Sequence, residues 1–389
     1  MTITGTLSAE DLAVDRELAD IARDFRFLLD LTPIDLVGTR ETFDATGRTP
    51  KFEYRPLEDD PGVAVRRLDD MPVDAVHDPI LASLLLGKHR ELRLQLEMLD
   101  CRGSEDFLPL SLELYGAVTP SLLAEAENIL ATVAKPEPDN GPWLDAETFV
   151  QAAQAELDRY RSLAPDIECH IEVREGSTGV MVSNGDLLVA PTVRIAVSRL
   201  DALLHHEIGT HILTYANGAN QPLHVLATGL AGHDETQEGL AVLAEYLVGG
   251  LTPGRLRELA ARVVAVHEMA NGAAFPDVHD RIVAAGISRH QAFTITMRVF
   301  RSGGLTKDAV YLRGLHELVT HLVAGGDLDL LWLGKMPLTA APLVAELHRR
   351  GALTDPLLRP RYLDEPAAQA RLASLHKVSS LAALIGATP

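Results

Sequence analysis

The chain has 389 residues, of which 47% are hydrophobic and 23% charged, a composition typical of a folded globular protein. Its 55 acidic and 35 basic residues give a formal net charge of -20, which argues against a nucleic-acid partner because such proteins neutralise phosphates with basic side chains. No stretch approaches the roughly 20 apolar residues of a membrane span, so no membrane partner is expected. The first residues lack a signal-peptide pattern, and the two cysteines, Cys101 and Cys169, form no disulfide framework, so we expect a cytoplasmic protein.

The first 140 residues are predicted to form a helical accessory region. Ser8 is placed to cap a helix over residues 9–30, and Pro33 ends it. The same helical periodicity predicts helices over 79–100, 120–134 and 145–162. Residues 135–142 have the Pro-rich composition of a linker, which places a boundary between region 1–140 and a catalytic domain 141–389, unless the two form one compact unit.

After residue 166 the pattern changes from helical to extended. Residues 167–173 alternate as a strand, and Asn184-Gly185 lies between two short apolar runs as in a hairpin. Residues 193–197 form a further short run. The remainder is predicted to be helical over 199–216, 236–249, 253–271, 277–285, 288–301 and 306–323. We therefore expect an α+β fold, predominantly helical, with a small antiparallel sheet.

The segment His206-Glu207-Ile208-Gly209-Thr210-His211 indicates a metal site. A hydrolytic zinc site needs three protein ligands and a nearby carboxylate that takes a proton from water. The usual helical motif is H-E-x-x-H, whose histidines stand four residues apart. Here the histidines are five apart, which on a regular helix separates them by about 140°. A π-helical bulge at Ile208–Thr210, where Gly209 relaxes the backbone, would make them converge.

A third ligand is expected from the helix predicted to start at residue 236. Glu238 lies in its first turn, 27 residues after His211. Glu235, Glu245, His224 and His233 remain rival ligands, and Asp234 is a candidate outer-shell acceptor for a histidine N–H. His205 is expected to be structural. Tyr246, eight residues after Glu238, is a candidate oxyanion donor or a core tyrosine.

The residues from His206 to Gly218, together with Gln237-Glu238-Gly239-Leu240-Ala241, resemble a known family. They are similar to the bacterial QEGLA-motif proteins, linked by name to flavohaemoglobin expression, and to the microtubule-associated tyrosine carboxypeptidases. The resemblance implies a zincin-like metallopeptidase fold with one Zn²⁺ per chain on His206, His211 and Glu238, and Glu207 as the catalytic base.

The resemblance also brings in an Arg-x-x-Arg segment and the Lys-Asp-x-x-Tyr that follows it. The residues concerned are Arg298, Arg301, Lys307 and Tyr311. An enzyme acting at a peptide C-terminus must bind a carboxylate, which arginine does bidentately. The alternative is an internal ion-pair network with Asp308 or Glu317. Tubulin specificity is not carried over, because it requires surface contacts outside these motifs.

These observations lead to one main hypothesis and two alternatives. The main hypothesis is a zinc-dependent carboxypeptidase acting on a peptide or protein C-terminus, with Glu207 and Tyr246 as catalytic residues. The alternatives are a regulatory or binding protein with a structural or vestigial metal, and a hydrolase of non-peptide amides.

Overall fold

Helices make up most of the chain, and two small sheets occupy its middle. The computed structural model describes residues 7–58, 60–136, 141–175 and 179–385. Residues 137–140 of the predicted linker lie outside this part.

The helices have the following bounds: α1 Ala9–Asp24, α2 Phe27–Asp30, α3 Leu36–Thr46, α4 Pro61–Asp69, α5 Pro79–Asp100, α6 Phe107–Tyr115, α7 Pro120–Thr132, α8 Ala146–Arg161, α9 Leu200–His206, α10 Leu213–Ala219, α11 Val225–Thr228, α12 His233–Leu247, α13 Pro253–Ala270, α14 Phe275–Ala284, α15 Arg289–Phe300, α16 Val310–Val323, α17 Ala341–Arg349 and α18 Pro366–Ser374. A π-helix, Glu207–Ile212, joins α9 to α10. Short 3₁₀ helices fill several connections, including Arg301–Gly303 and Thr306–Ala309.

Several helix starts follow directly from local sequence. Asp78, Thr119 and Thr252 each accept a backbone N–H at the start of α5, α7 and α13, and each is followed by proline. Proline fits the first helical position because its missing N–H would have no partner there. These signals explain why the predicted and observed starts of α5, α7 and α13 coincide.

Two differences from the predicted helix bounds lie close to the predicted metal site. The helix expected over 9–30 is interrupted, because Phe25 is extended and α2 starts anew at Phe27. Helix α12 begins at His233, three residues earlier than predicted, so Glu238 lies in its second turn and not in its first.

The strands form a two-stranded and a three-stranded sheet. The strands are β1 Trp143–Leu144, β2 Ile171–Val173, β3 Val180–Ser183, β4 Asp186–Val189 and β5 Ile195–Ala196. Strands β3 and β4 form the predicted hairpin, and β1 pairs with β5. The expectation of an antiparallel sheet is wrong for β2, which runs parallel to β4. The order β2-β4-β3 leaves β3 at an edge.

Two apolar cores hold the central helices in place. The larger one joins the N-terminal helices to the rest of the chain, since Leu18 of α1 and Leu92 of α5 belong to the same cluster as Leu243 of α12. The second lies between α8, the three-stranded sheet and the π-helix, which contributes Ile208 and Ile212. The π-helix is therefore anchored on the sheet through its apolar residues.

No single helix within the described ranges is long and apolar enough to cross a membrane. In the part of the chain that the structure describes, only the bent pair α6 and α7 has, taken together, the length and apolar composition of a membrane span.

Candidate metal centre

The predicted bulge is present, and it brings the two motif histidines together. The π-helix widens the turn between His206 and His211, whose ring centroids lie 5.2 Å apart. Thr210 supports the wide turn, since its hydroxyl donates to the His205 carbonyl at 3.0 Å. A side chain at position 209 would be crowded, because an added Cβ would lie 3.0 Å from His205 Nδ1. The widened helix is confirmed.

Glu238 reaches the two histidines from the neighbouring helix α12. Its Oε2 lies 3.7 Å from His206 Nε2 and 3.6 Å from His211 Nε2. The three ligand atoms all lie within 4.8 Å of one another, so this group could hold a metal ion. Two imidazoles and one carboxylate are a donor set found in hydrolytic zinc sites, so the residues fit the predicted ion.

Glu207 faces the same centre. Its Oε1 lies 4.0 Å from His206 Nε2, and 6% of the residue is exposed. Burial raises the pKa of Glu207, and the two histidines only partly offset that effect. Burial also acts against the charged form of Glu238, but the hydrogen bond from His211 and the charges of His211 and Lys307 hold the pKa of Glu238 well below its usual range.

Glu245 lies on the other side of the His206 ring. Its Oε1 is 2.9 Å from His206 Nδ1, so Glu245 is placed to accept a hydrogen bond from this histidine. Glu238, and not Glu245, therefore occupies the place of the third candidate ligand. Burial opposes its charge, yet Arg255, His206 and Arg199 together lower the pKa of Glu245. Burial likewise opposes a charge on His206, but the hydrogen bond to Glu245 and the surrounding carboxylates raise the pKa of His206.

Tyr246 lies away from this centre, contrary to expectation. It is 4% exposed, and its hydroxyl is 3.4 Å from Ser374 Oγ. Eight residues advance a helix by about 800°, which leaves Tyr246 about 80° from the direction of Glu238. Glu245, seven residues after Glu238, differs from it in direction by only about 20°, so Glu245 and not Tyr246 shares the face of α12 that carries Glu238. Tyr311, and not Tyr246, lines the cavity that surrounds His206, His211 and Glu238.

The other candidate residues of the predicted site have partners of their own. Glu235 is paired with Arg313, and Asp234 binds Lys307 and not a histidine. His233 lines the cavity, with its Nδ1 3.0 Å from the Leu230 carbonyl oxygen. His205 is buried against Tyr362, as expected for a structural histidine.

The predicted substrate-binding cations divide into paired and unpaired residues. Arg298 makes two hydrogen bonds to Asp308, at 2.6 and 2.7 Å, which is the internal ion pair foreseen as the alternative. Lys307 lies 2.6 Å from Asp234 and 3.9 Å from Glu238. Arg301 has no carboxylate within ion-pair distance among the described residues, and its nearest partner is the Thr32 hydroxyl at 3.2 Å.

Lys335 is a cation of the cavity that sequence reasoning did not find. It lies over the Tyr215 ring, with Nζ 5.5 Å from the centroid, and no described carboxylate pairs with it. It stands 97 residues beyond Glu238 in an irregular segment, where no motif or periodicity could have identified it. The N-terminal residues Leu28 and Thr32, which line the same cavity, were also missed, because no motif connects them with the metal site.

Three adjoining cavities follow the edge strand β3. The metal cavity, about 250 Å³, contains the three candidate ligands and is bordered by Val180, Met181 and Val182. The arginine cavity, about 460 Å³, shares Val180 and Glu207 with it and is lined by Arg199, Arg255 and Arg262. The hairpin cavity, about 180 Å³, continues in the other direction to Ser183 and Asn184. The metal centre therefore lies midway along a groove whose rim is β3.

Comparison with known proteins identifies the family. The sequence profile of the family described as "Microtubule-associated tyrosine carboxypeptidase" matches residues 41–380. No curated protein sequence matches the chain at a significant level. Among solved structures, a crystal structure described as the putative lipoprotein from Colwellia psychrerythraea aligns with a TM-score of 0.43 and 11% identity. That alignment covers 80% of this chain and 66% of the other, so about a third of that protein has no counterpart here, and its TM-score does not establish a shared fold. Because the family profile matches most of the chain, the chain belongs to the microtubule-associated tyrosine carboxypeptidase family.

Proposed function

We propose that the protein is a zinc-dependent carboxypeptidase that removes residues from the C-terminus of a peptide or protein. The family supports carboxypeptidase-like hydrolysis. The observation that carries the proposal is the meeting of His206, His211 and Glu238 beside the carboxylate of Glu207. A structural zinc site has no need of such a base.

The residues of the centre have separate tasks in this proposal. His206, His211 and Glu238 would hold Zn²⁺, which supplies the Lewis acidity that makes water nucleophilic near neutral pH. Glu207 accepts the proton of the attacking water and passes it to the leaving amine. Tyr311 borders both the metal and the arginine cavities, where its hydroxyl is available to donate to the substrate.

Arg301 is proposed to bind the terminal carboxylate of the substrate. It is 6% exposed, and its Nε has no hydrogen-bond partner among the described residues. Leaving a buried charged donor without a partner is costly, so a bound carboxylate would satisfy it. Burial and the nearby Arg298 lower the pKa of Arg301 to about 10, so it stays positively charged at neutral pH.

Strand β3 is proposed to hold the substrate backbone, as an edge strand does in zincin-like peptidases. The Gly179 carbonyl accepts from Ala190, while Leu187 N–H and the Val189 carbonyl bond to residues near β2. Because bonded and non-bonded pairs alternate in an antiparallel ladder, Val180 and Val182 direct their backbone groups away from β4. These free groups face the groove and can pair with an extended peptide.

The test uses purified protein and matched peptides with a free or an amidated C-terminus. We expect about one zinc per chain, release of the last residue from the free peptide only, and loss of activity on chelation that added zinc restores. Glu207→Gln should keep its zinc and lose roughly 10²–10⁴-fold in rate.

Three outcomes would contradict the proposal. Full activity of Glu207→Gln would remove Glu207 as the base. A zinc-loaded protein that cleaves no peptide would favour the regulatory alternative, and cleavage of amidated substrates alone would favour an amidase.

A further inference from the structure

His206 lies between two carboxylates of the same helix. Glu238 faces its Nε2 at 3.7 Å, and Glu245 contacts its Nδ1 at 2.9 Å. The two glutamates are seven residues apart on α12, about two turns, so they project in nearly the same direction. A carboxylate only accepts hydrogen bonds, so the Nδ1 beside Glu245 carries the proton and the lone pair of Nε2 stays free.

Glu245 is itself held in place from behind. It is 1% exposed, and Arg199 lies 2.6 Å from its Oε2 while Arg255 lies 3.4 Å from its Oε1. Arg199 also donates to the Gly250 carbonyl, and Arg255 lies 3.3 Å from Glu258. Each partner is fixed by a second contact, so the carboxylate has little freedom to turn away from His206.

We propose that Glu245 is a positioning residue that keeps His206 in the tautomer and orientation in which Nε2 can bind the metal. The inference rests on the metal site proposed above but goes beyond it, because it assigns the zinc affinity of the site to a residue that does not touch the ion. Carboxylate partners of ligating histidines have this effect elsewhere, and their loss typically weakens metal binding by 10–100-fold.

Glu245→Gln is the sharpest variant because it preserves shape and alters only the donors and acceptors. Arg199 and His206 both donate, and they face different oxygens of Glu245, so they compete for the single amide oxygen of the variant. When that oxygen faces Arg199, the NH₂ group faces His206 Nδ1 and favours a proton on Nε2, where it blocks the metal. We therefore expect zinc affinity, measured by chelator competition, to fall by roughly 10–100-fold.

Glu258→Gln is the matched control. Glu258 contacts Arg255 and Arg262 in the same ion-pair cluster but does not reach His206. A purely structural role for the cluster predicts that both variants weaken zinc binding alike. The proposal predicts a clearly smaller loss for Glu258→Gln, which alters only the second contact of Arg255, and equal losses in the two variants would overturn it.

The wild-type protein gives a second test that needs no variant to fold. In ¹⁵N-histidine-labelled, zinc-loaded protein, His206 should carry its proton on Nδ1 and coordinate through Nε2. Coordination through Nδ1 would overturn the inference. Both readouts concern zinc binding alone, so a protein that binds zinc in this way but hydrolyses no peptide would disprove the proposed function and leave this inference standing.

Discussion

Around the metal cavity, the charged side chains that have a protein partner differ in expected role from those that do not. Arg298 neutralises Asp308, which is fully buried, whereas Arg301 and Lys335 face the cavity without a described carboxylate. Removal of a paired cation leaves a buried charge behind and lowers stability, while removal of an unpaired one mainly affects what binds in the cavity.

Arg301→Met should therefore weaken substrate binding without unfolding the protein. We expect KM for a peptide with a free C-terminus to rise about 10–100-fold, since a hydrogen bond to a charged group contributes about 1.5–3 kcal/mol. Steady-state kinetics on free and amidated peptides measure this effect.

Arg298→Met provides the contrast, because it leaves Asp308 buried and unpaired. It should lower the free energy of unfolding by about 3–5 kcal/mol. If Arg301→Met had an unchanged KM, or if it destabilised the fold as much as Arg298→Met, the division between the two arginines would be incorrect.

Lys335 should make stability depend on pH. Burial lowers the pKa of Lys335 to about 8, whereas in the unfolded chain it is about 10.5. Between these values the unfolded state binds more protons than the folded state, so stability rises with pH over this window. Below pH 8 the charge on Lys335 carries its full cost, about 3 kcal/mol, since one pKa unit corresponds to about 1.4 kcal/mol.

Lys335→Met should therefore be more stable than the wild type at pH 7, and the difference should shrink as the pH rises from about 8 to 10.5. Urea unfolding of the metal-free protein at several pH values measures it. Lys51→Met, which changes an exposed lysine, is the control for the loss of one positive charge. A constant difference at all pH values would show that Lys335 acts through packing alone.

Among the elements, α12 and α16 depend on an unusually close crossing. Gly239 of α12 lies against Gly314 of α16, and a Cβ added to Gly314 would overlap the Glu235 carbonyl. Because the obstacle is backbone, the helices would have to separate. Glu238 precedes Gly239 directly, so the crossing also positions a proposed metal ligand.

Gly314→Ala is expected to destabilise the protein by more than about 2 kcal/mol and to weaken zinc binding. Gly87→Ala in α5 is the matched control, since its added Cβ would lie 3.5 Å from Ala231 Cβ, an ordinary contact. That control should be neutral or stabilising by up to about 1 kcal/mol, because alanine favours helix. Thermal unfolding and chelator competition measure both effects, and a neutral Gly314→Ala would contradict the close crossing.

The elements also show which features the sequence could predict. The π-helix followed from the five-residue spacing of His206 and His211, because only a bulge makes them converge. The β3–β4 hairpin followed from Asn184-Gly185, whose residues adopt the positive φ angles that such turns require. The parallel partner of β4 could not be predicted, since alternation in β2 does not reveal which strand it pairs with or in which direction. Tyr246 was misplaced because helical phase was approximated by whole turns.

At the scale of the whole molecule, the N-terminal helices are part of the main core and of the groove. Asp15 of α1 accepts backbone hydrogen bonds from His224 and Val225, at 2.7 and 3.1 Å. Leu28 and Thr32 line the metal cavity. A chain divided at residue 140 would therefore have Asp15, Leu28 and Thr32 in one part, and the residues that they contact in the other.

We therefore expect a fragment of residues 141–389 to lack a cooperative unfolding transition and to aggregate, because it exposes the apolar surface that α1 and α5 cover. Circular dichroism and size-exclusion chromatography, with the full chain under the same conditions, measure this. A monomeric fragment with the melting temperature of the full chain would show that residues 141–389 fold alone.

The extra residue of the π-helix affects everything that follows it. Deletion of Gly209 would restore the common H-E-x-x-H spacing, but it would also rotate the downstream helix by about 100°. Thr214 would then lose its hydrogen bond to Gln237, and Asn217 would lose its hydrogen bonds to the Trp332 and Leu358 carbonyls. One deletion would thus exchange a familiar motif for several broken buried hydrogen bonds, because the side chains downstream of the π-helix are joined to residues in the C-terminal half of the chain.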